Sequence, residues 1–194
     1  TACSGEETVE MPPPYDLSTP TGVADALRSM LADRDTSAIA EVLLPEAEFV
    51  LNPYEATLRG WPAEVTRGEL DRSLRNIMLG AWPPAIISVS VAAWNPWGPF
   101  APADLSSPFP ATLEADYAVS FIFARTGANE CATQGTLRLS VGLDSRDDST
   151  QYGLAGLQEI SVLGPSSLGA VLVAYANRPP EAFLAAKLVD DGVP

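Results

Sequence analysis

The hydrophobic period of this chain changes once, near residue 85, and that change limits the folds the chain can adopt. Two segments before it carry apolar residues at helical spacing: Val23, Ala26, Leu27, Met30 and Leu31, then Leu70, Leu74, Ile77 and Met78. After it, apolar residues alternate with others, as in AIISVSVAAW, which is typical of strands with one buried face. Helices followed by long strands predict an α+β fold, with the helices packed on one face of a curved antiparallel sheet.

Proline, glycine and turn residues suggest where each element begins and ends. About three helices are predicted, over 19–35, 36–45 and 64–80, and about four to six strands, including 46–52, 85–94, 111–125, 130–144 and 151–162. Two stretches rich in proline and glycine, 53–65 and 95–111, are predicted to be loops. The segment after Ser167 is compatible with a strand or a helix, and a short helix is predicted over 180–188.

The length of 194 residues suits one domain with tails. Residues 1–20 are rich in proline and acidic residues and are predicted to be a flexible, extended N-terminal tether. Residues 21–164 are predicted to form the domain, and residues 165–194 a C-terminal extension that packs on it. No run of about 18 apolar residues occurs, so no helical membrane span is predicted.

The charge of the chain and the lack of one residue type exclude several classes of function. With 25 acidic and 11 basic residues, and a formal net charge of -14, the protein would repel nucleic acid phosphates. It has no histidine, which removes the commonest general base and every Ser-His or Cys-His nucleophile pair. No phosphate-binding glycine motif or calcium-loop pattern occurs. We therefore expect no nucleic-acid partner, no metal and no cofactor.

The helical half of the chain resembles the opening of NTF2-like (SnoaL-like) domains. The run GVADALRSMLADRDTSAIAEVLLPEAEFVL is similar to their first helix, an Arg34-Asp35 turn, a short second helix and a strand containing Phe49. TRGELDRSLRNIMLG lies where their third helix would be. The resemblance covers roughly residues 21–162 and implies an NTF2-like cone, in which a curved sheet and helices enclose a pocket. That fold hosts enzymes, binding proteins and assembly subunits, so it implies no single activity.

The strand pattern bears on catalysis, because ketosteroid isomerase-like and polyketide cyclase-like enzymes of this family place an Asp, often with His or Tyr, in the pocket. Side chains alternate between the two faces of a strand. On 111–125 the apolar, inward phase contains Tyr117 and Phe121, whereas Glu114 and Asp116 fall on the outer phase. The following strand has no acid on its inward phase either. We therefore expect no carboxylate on these inner faces, and a protein that is not an enzyme.

Aromatic side chains supply the candidate ligand-binding residues: Trp94, Trp97, Tyr117, Phe121 and Tyr54. Trp94 and Trp97 lie in WNPWGPF, where they would either hold an apolar ligand or a partner, or fold back to fill the open end of the cone. We expect a non-enzymatic domain that binds a small apolar molecule or a partner protein. A structural subunit of a larger envelope assembly, and a cyclase- or isomerase-like enzyme, stay open as alternatives.

The resemblance also implies a possible homodimer, because many members of the family dimerise through the outer face of the sheet. In this chain Glu114, Asp116 and Arg138 would line that face. Three charged side chains make it a polar surface rather than an apolar one.

Three roles are open to Cys3: half of a disulfide with Cys131, an incidental thiol, or the attachment point of a lipid. Cys131 starts the apolar phase of a strand and is predicted to be buried. Thr1-Ala2-Cys3 resembles the end of a bacterial lipobox, after which Thr1 and Ala2 would be removed, and Ser4 resembles outer-membrane-destined lipoproteins. A polar, proline-rich spacer suits such an anchor. We expect a protein of the bacterial cell envelope, lipid-anchored at the outer membrane and touching the membrane through this anchor only.

Overall fold

The computed structural model describes residues 15–80, 86–102, 111–123, 130–146 and 151–177. Five helices lie in this part of the chain: α1 (Pro20–Asp33), α2 (Ile39–Val42), α3 (Pro53–Arg59), α4 (Arg67–Leu79) and α5 (Leu168–Asn177). Six strands accompany them: β1 (Leu43–Val50), β2 (Glu64–Val65), β3 (Ile86–Pro102), β4 (Ala111–Phe123), β5 (Glu130–Leu143) and β6 (Tyr152–Val162). None of the described helices is long and apolar enough to cross a membrane.

The six described strands form one sheet, in the order β2-β1-β6-β5-β4-β3. The long strands from β3 to β6 pair antiparallel, each with the next along the chain. β1 lies between the edge strand β2 and β6, and it runs parallel to β6. Register shifts within β3–β4 and β5–β6 mark irregularities of the kind that bend strands. The predicted α+β class is confirmed, with six strands and with more helices than the three predicted.

α1 and α4 begin and end at residues whose chemistry suits those positions. The Thr19 hydroxyl accepts a backbone hydrogen bond from the first turn of α1 at 3.1 Å, and Pro20 follows at the first helical position. α4 begins with a capping box between Thr66 and Glu69, and it ends at Gly80 as predicted. Every residue of the two predicted apolar stripes is buried. The stripes therefore face the core.

The Arg34-Asp35 turn joins the helices to the sheet. Arg34 ends α1 in the left-handed conformation, with φ at 57°. Its guanidinium donates to the Met78 carbonyl at 2.6 Å and to the Ile86 carbonyl at 3.0 Å, so it contacts the end of α4 and the start of β3. Asp35 accepts a 3.0 Å hydrogen bond from the Tyr15 hydroxyl. This turn therefore fixes α1 relative to α4, the sheet and the chain that precedes it.

The strand phases predicted for β4 and β5 are confirmed, and they place the core between the sheet and the helices. The buried residues alternate along both strands: Leu113, Ala115, Tyr117, Val119 and Phe121 on β4, and Thr133, Gly135, Leu137, Leu139 and Val141 on β5. Glu114, Asp116 and Arg138 lie on the opposite, outer face. Cys131, predicted to be buried, is half-buried because it lies near the start of β5, at the margin of the core.

Two stretches predicted to be loops contain regular structure, and the positions of their prolines explain why. Pro53 lies at the start of α3, where a helix needs no backbone donor, and the Asn52 side chain caps that helix. Residues 64–65 then form β2. β3 continues to Pro102 across part of the other predicted loop. It can include prolines because it is an edge strand, on which some backbone donors need no partner strand.

The segment after Ser167 is a helix, α5, and its described side chains are almost all buried. Side chains of α4 bind its backbone: Ser73 donates to the Leu172 carbonyl at 2.8 Å, and Asn76 donates to the Tyr175 carbonyl at 2.9 Å. α5 therefore packs along α4. The short helix predicted over 180–188 lies outside the described residues.

Candidate functional site

Among the described residues, one acidic side chain is fully buried, and it joins the sheet to α5. Glu159 on β6 has 0% exposure. Its Oε1 accepts a 2.6 Å hydrogen bond from the Tyr117 hydroxyl on β4 and a 2.8 Å hydrogen bond from the Leu168 N–H at the start of α5. Its Oε2 makes no hydrogen bond within the described part of the chain. A Cβ placed on Gly169 would lie 3.2 Å from Oε2, so this oxygen borders the first turn of α5.

Tyr117 reaches Glu159 because a glycine lies between them in the sheet. Gly135 on β5 is directly opposite Tyr117. A Cβ at Gly135 would lie 3.1 Å from Cε1 of Tyr117 and 1.9 Å from the Ser161 carbonyl oxygen of β6. A larger residue would therefore displace either the tyrosine ring or the β6 backbone.

Burial determines the protonation of this pair. Burial raises the pKa of Glu159 above its ordinary value of 4.5, and donors from Tyr117, Leu168, Ser167 and Gly169 oppose part of that rise. Burial, followed by the neighbouring Glu159 carboxyl, also raises the pKa of Tyr117, so the tyrosine stays protonated and donates. The fold therefore favours the uncharged form of Glu159 more than an exposed site would.

The Tyr117–Glu159 pair is buried among the described residues of the core. Tyr117 is 1% exposed and Phe121 on the same strand is 0% exposed, like Glu159. Such values show that neighbouring side chains fill the surrounding volume, as in a close-packed core. Through its two hydrogen bonds the carboxyl group can hold α5 on the sheet.

Glu159 is not among the site residues predicted from the sequence. The inward phases of β4 and β5 predict an inner face without carboxylates, but β6 contributes one, so that expectation fails for the sheet as a whole. The alternation of side chains along β6 could have placed Glu159 on the inner face. Leu157 is buried opposite Leu139, and a side chain two residues further along a strand returns to the same face.

A cavity of about 440 Å³ lies beside β2, the opposite edge of the sheet from β3. Four segments form it: the turn after α3, the strand β2, the first turn of α4 and the second half of α5. We call it the Trp61 groove, and its lining residues are Gly60, Trp61, Pro62, Val65, Glu69, Val173 and Ala176. Its volume falls in the range of roughly 300–1,000 Å³ that is typical of small-molecule sites.

Trp61 is fixed in the groove by a local turn. Gly60 ends α3 with φ at 63°, a conformation that glycine adopts at little cost. The Trp61 N–H then donates to the Ala56 carbonyl at 2.9 Å. The Arg59 guanidinium lies 5.3 Å from the centre of the indole ring and pairs with Glu55 at 3.2 Å. The half-buried indole is thus held from the α3 side and packs against the core.

The described lining of the groove combines apolar walls with one carboxylate. Val65, Val173 and Ala176 are buried side chains at its base, and Pro62 is exposed at its rim. Glu69 accepts hydrogen bonds from the Thr66 N–H at 3.0 Å and from the Thr66 hydroxyl at 2.9 Å, so its carboxylate is oriented by α4. This arrangement can take the apolar body of a small molecule and disfavours an anionic group.

The five sequence-predicted ligand residues do not surround this groove. Tyr117 and Phe121 lie in the core, and Tyr54 is 72% exposed in the first turn of α3. The backbones of Trp94 and Trp97 belong to β3, at the far edge of the sheet, and their side chains lie outside the described part of the structure. Cys3 and the tether up to residue 14 also lie outside the described residues.

On the outer face of the sheet, Glu114 and Asp116 both bind side chains of the neighbouring strand. Arg138 on β5 donates to Glu114 on β4 at 2.8 Å, and the Thr136 hydroxyl donates to Asp116 at 3.0 Å. These are cross-strand contacts between directly opposite residues. The homodimer predicted through this face stays a prediction, and its interface would include these paired side chains.

No protein-family model and no curated protein matches the sequence. Among solved structures, the beta subunit of the benzoate 1,2-dioxygenase from Burkholderia mallei is similar with a TM-score of 0.47 and 14% identity, over 77% of this chain and 92% of that chain. AusH from Aspergillus nidulans is similar with a TM-score of 0.45 and 11% identity, over 73% of this chain and 84% of that chain. A protein named Rd1NTF2_04 with long sheet has a TM-score of 0.43 and 9% identity, over 73% and 99% of the two chains. At these identities and TM-scores, the likenesses give this chain no activity, ligand or partner.

Proposed function

We propose that this protein is a non-enzymatic binding module that holds a small apolar molecule in the Trp61 groove. The observation that carries the proposal is the cavity of about 440 Å³, whose described lining places an indole ring, a proline and aliphatic side chains beside one carboxylate. Ligand sites are mostly apolar, with a few placed polar groups that set orientation. Because the chain carries a net charge of -14 and Glu69 lies in the groove, we propose a neutral or cationic ligand.

The absence of enzymatic activity is part of this proposal. A general base must come within hydrogen-bond reach of the proton that it removes. Glu159, the buried carboxyl group with a raised pKa, is 0% exposed and already binds Tyr117 and Leu168. Glu69, the carboxylate in the groove, is engaged by Thr66 at the start of α4. These contacts favour structural and orienting roles over proton transfer.

The proposal is tested by titrating the protein with N-phenyl-1-naphthylamine, a neutral fluorophore that emits more strongly in apolar surroundings. The wild-type protein should bind it saturably, and Trp61→Ala should weaken binding about tenfold or more, because Trp61 is the one aromatic residue in the described lining of the groove. Tyr54→Ala is the matched control, since Tyr54 is an exposed aromatic residue on α3 that does not line the groove. Absence of saturable binding, or equal affinity in both variants, would contradict the proposal.

A second candidate function is contact with a partner protein through α3. Tyr54 and Leu58 are 72% and 63% exposed, and their spacing of four residues places them on one face of that helix. Aromatic side chains are enriched at protein interfaces. If α3 carries the function, Tyr54→Ala combined with Leu58→Ala should abolish self-association or partner recovery in size-exclusion and cross-linking experiments, without changing binding of the fluorophore.

We also propose that the module is anchored in the bacterial cell envelope through a lipid on Cys3. Support comes from the sequence alone: Thr1-Ala2-Cys3 resembles a lipobox end, and a polar spacer separates it from α1. The intact mass of the native protein tests this directly. A mass without Thr1 and Ala2 and with acyl groups on Cys3 is expected, whereas an unmodified Cys3 would exclude the anchor.

A further inference from the structure

We propose that docking of α5 on the sheet is coupled to protonation of Glu159, so that loss of this proton displaces α5 and weakens binding in the Trp61 groove. The inference rests on the proposed function, because it concerns regulation of the same groove. Glu159 and the groove are separate sites, but α5 takes part in both. Its first turn borders Glu159, and its Val173 and Ala176 line the groove.

The contacts at the two ends of α5 differ in their dependence on charge. At its start, Leu168 N–H binds Oε1 of Glu159, and Gly169 lies against Oε2. Further along, three side chains of α4 bind the backbone, none of them a carboxyl group: Ser73 binds the Leu172 carbonyl, Asn76 the Tyr175 carbonyl and Arg72 the Ala176 carbonyl. The contact that changes charge with pH is therefore the one at the start of the helix.

The geometry around Glu159 makes an ionised carboxylate costly in the docked state. Both of its oxygens are cut off from solvent. Oε2 makes no hydrogen bond of good geometry within the described residues, and the Ser167 hydroxyl and Gly169 N–H near the carboxyl group offset only part of the cost of burial. Displacement of α5 would expose this carboxyl group to water, where an ionised form is stable. By linkage, the docked state binds the proton more tightly than the displaced state, so rising pH favours displacement.

The groups that face Glu159 from the surrounding elements support this assignment. β4 contributes Tyr117, an ionisable group that contacts the carboxyl group and stays protonated because burial raises its pKa. β5 contributes Leu137, directly opposite Glu159, and β1 contributes Phe49, which a Cβ on Gly169 would also contact. The chain at the start of α5 contributes the Leu168 and Gly169 N–H groups and the Ser167 hydroxyl. Among the described residues, no basic side chain makes a hydrogen bond or ion pair with Glu159 that would neutralise its charge.

The experiment measures the dissociation constant of N-phenyl-1-naphthylamine from pH 5 to pH 9. In the wild-type protein the dissociation constant should rise by about fivefold or more across this range, a coupling of ordinary size. In Glu159→Gln, which keeps an acceptor for Tyr117 and Leu168 but cannot ionise, the rise should be less than about twofold. An equal rise in both proteins, or no rise in the wild-type protein, overturns the inference.

Hydrogen exchange of the α5 amides in the wild-type protein provides a test that needs neither a ligand nor a variant. After correction for the intrinsic pH dependence of exchange, protection of residues 168–177 should fall from pH 5 to pH 9, while protection of β4 stays constant. Unchanged protection of α5 overturns the inference. If protection falls but the fluorophore binds at no pH, then the coupling stands and the proposed function fails.

Tyr117→Phe provides a directional check. The hydrogen bond from Tyr117 lowers the pKa of Glu159, so its removal raises that pKa further. The pH at which α5 loses half of its protection should therefore move upward in this variant relative to the wild-type protein. A shift to lower pH, or no shift, would contradict the assignment of the pH dependence to Glu159.

Discussion

Among the described residues, the inner face of the sheet combines two aromatic rings with one carboxyl group and the Trp61 groove combines one ring with one carboxyl group, but the two regions differ in their access to solvent. On the inner face, Tyr117, Phe121 and Glu159 are at most 1% exposed and lie in the packed core. In the groove, Trp61 and Glu69 border a cavity of about 440 Å³. The same residue types therefore serve packing in the first region and can serve ligand contact in the second.

The two regions also differ in how their aromatic rings are positioned. Tyr117 is held by the regular pairing of β4 and β5 and by a hydrogen bond to Glu159, a residue 42 positions away. Trp61 is held by a short turn, through its own backbone hydrogen bond to Ala56 and the overlying Arg59. An aromatic residue on a turn at a sheet edge can face solvent, whereas one on the inward phase of a central strand becomes part of the core.

The largest expected effect is on the packed region. Phe121→Ala should lower the free energy of unfolding by about 3–5 kcal/mol, because it removes a fully buried ring and leaves a cavity. Urea unfolding followed by circular dichroism measures this change. The exposed control Tyr54→Ala should change stability by less than about 0.5 kcal/mol. A loss below about 1 kcal/mol for Phe121→Ala would show that the inner face is not packed as described.

Removal of the buried carboxyl group should have the next largest effect. Glu159→Ala leaves the Tyr117 hydroxyl and the Leu168 N–H without acceptors, which should cost about 2–4 kcal/mol in urea unfolding at pH 5. Glu114→Ala, on the outer face, removes a partly exposed partner of Arg138 and should cost less than about 1 kcal/mol. Equal losses of stability in the two variants would mean that the difference in burial between Glu159 and Glu114 has no energetic effect.

The pH dependence of stability should distinguish Glu159 from the other acids. Its pKa is raised in the folded protein, so its protonated form contributes stability that is complete below about 4.5 and is lost as pH rises through the folded pKa. Asp35 and Asp144 have lowered pKa values, because of hydrogen bonds from Ser37 and Arg146, and contribute the opposite trend.

The difference in unfolding free energy between the wild-type protein and Glu159→Gln isolates the contribution of Glu159. The stability of the wild-type protein relative to this variant should decline as pH rises from about 4 toward 8. Urea midpoints measured for both proteins across this range give the comparison. A difference that is constant with pH, or that grows as pH rises, would contradict a raised pKa for Glu159.

The smallest expected effect on stability lies in the groove. Trp61→Ala should lower the free energy of unfolding by about 1–2 kcal/mol, because the ring is half-buried and its contact with Arg59 is at the surface. The same variant should lose affinity for the fluorophore, whereas Phe121→Ala, if folded, should retain it. If Trp61→Ala retained binding of the fluorophore and a folded Phe121→Ala lost it, the ligand would bind at the inner face of the sheet and not in the Trp61 groove.

Local periodicity explains how much of the fold could be predicted from the sequence. The stripes of α1 and α4 and the inward phases of β4 and β5 depend on residues within one element, and all are confirmed. The Arg34-Asp35 turn, singled out by resemblance, makes the contacts that join α1 to α4 and β3. The loops predicted over 53–65 and 95–111 were wrong in part because proline is tolerated in the first turn of a helix and on an edge strand.

The candidate sites depend on contacts between distant segments, which periodicity does not report. Glu159 could have been placed on the inner face from the phase of Leu157, but its contact with α5 depends on how the chain returns after β6. The groove combines residues from Gly60 to Ala176, and each of its segments is ordinary alone. The aromatic residues that stand out by composition, Trp94 and Trp97, lie on the strand furthest from that groove.

The most direct test of the proposed function is a nuclear magnetic resonance titration of the ¹⁵N-labelled protein with N-phenyl-1-naphthylamine at pH 5. We predict that the indole N–H signal of Trp61 and the amide signals of Val65 and Val173 shift with the added fluorophore, while the amide signals of Tyr117 and Phe121 do not. Shifts concentrated at Tyr117 and Phe121, with none at Trp61, would contradict the proposed function. They would place the ligand between the inner face of the sheet and the helices.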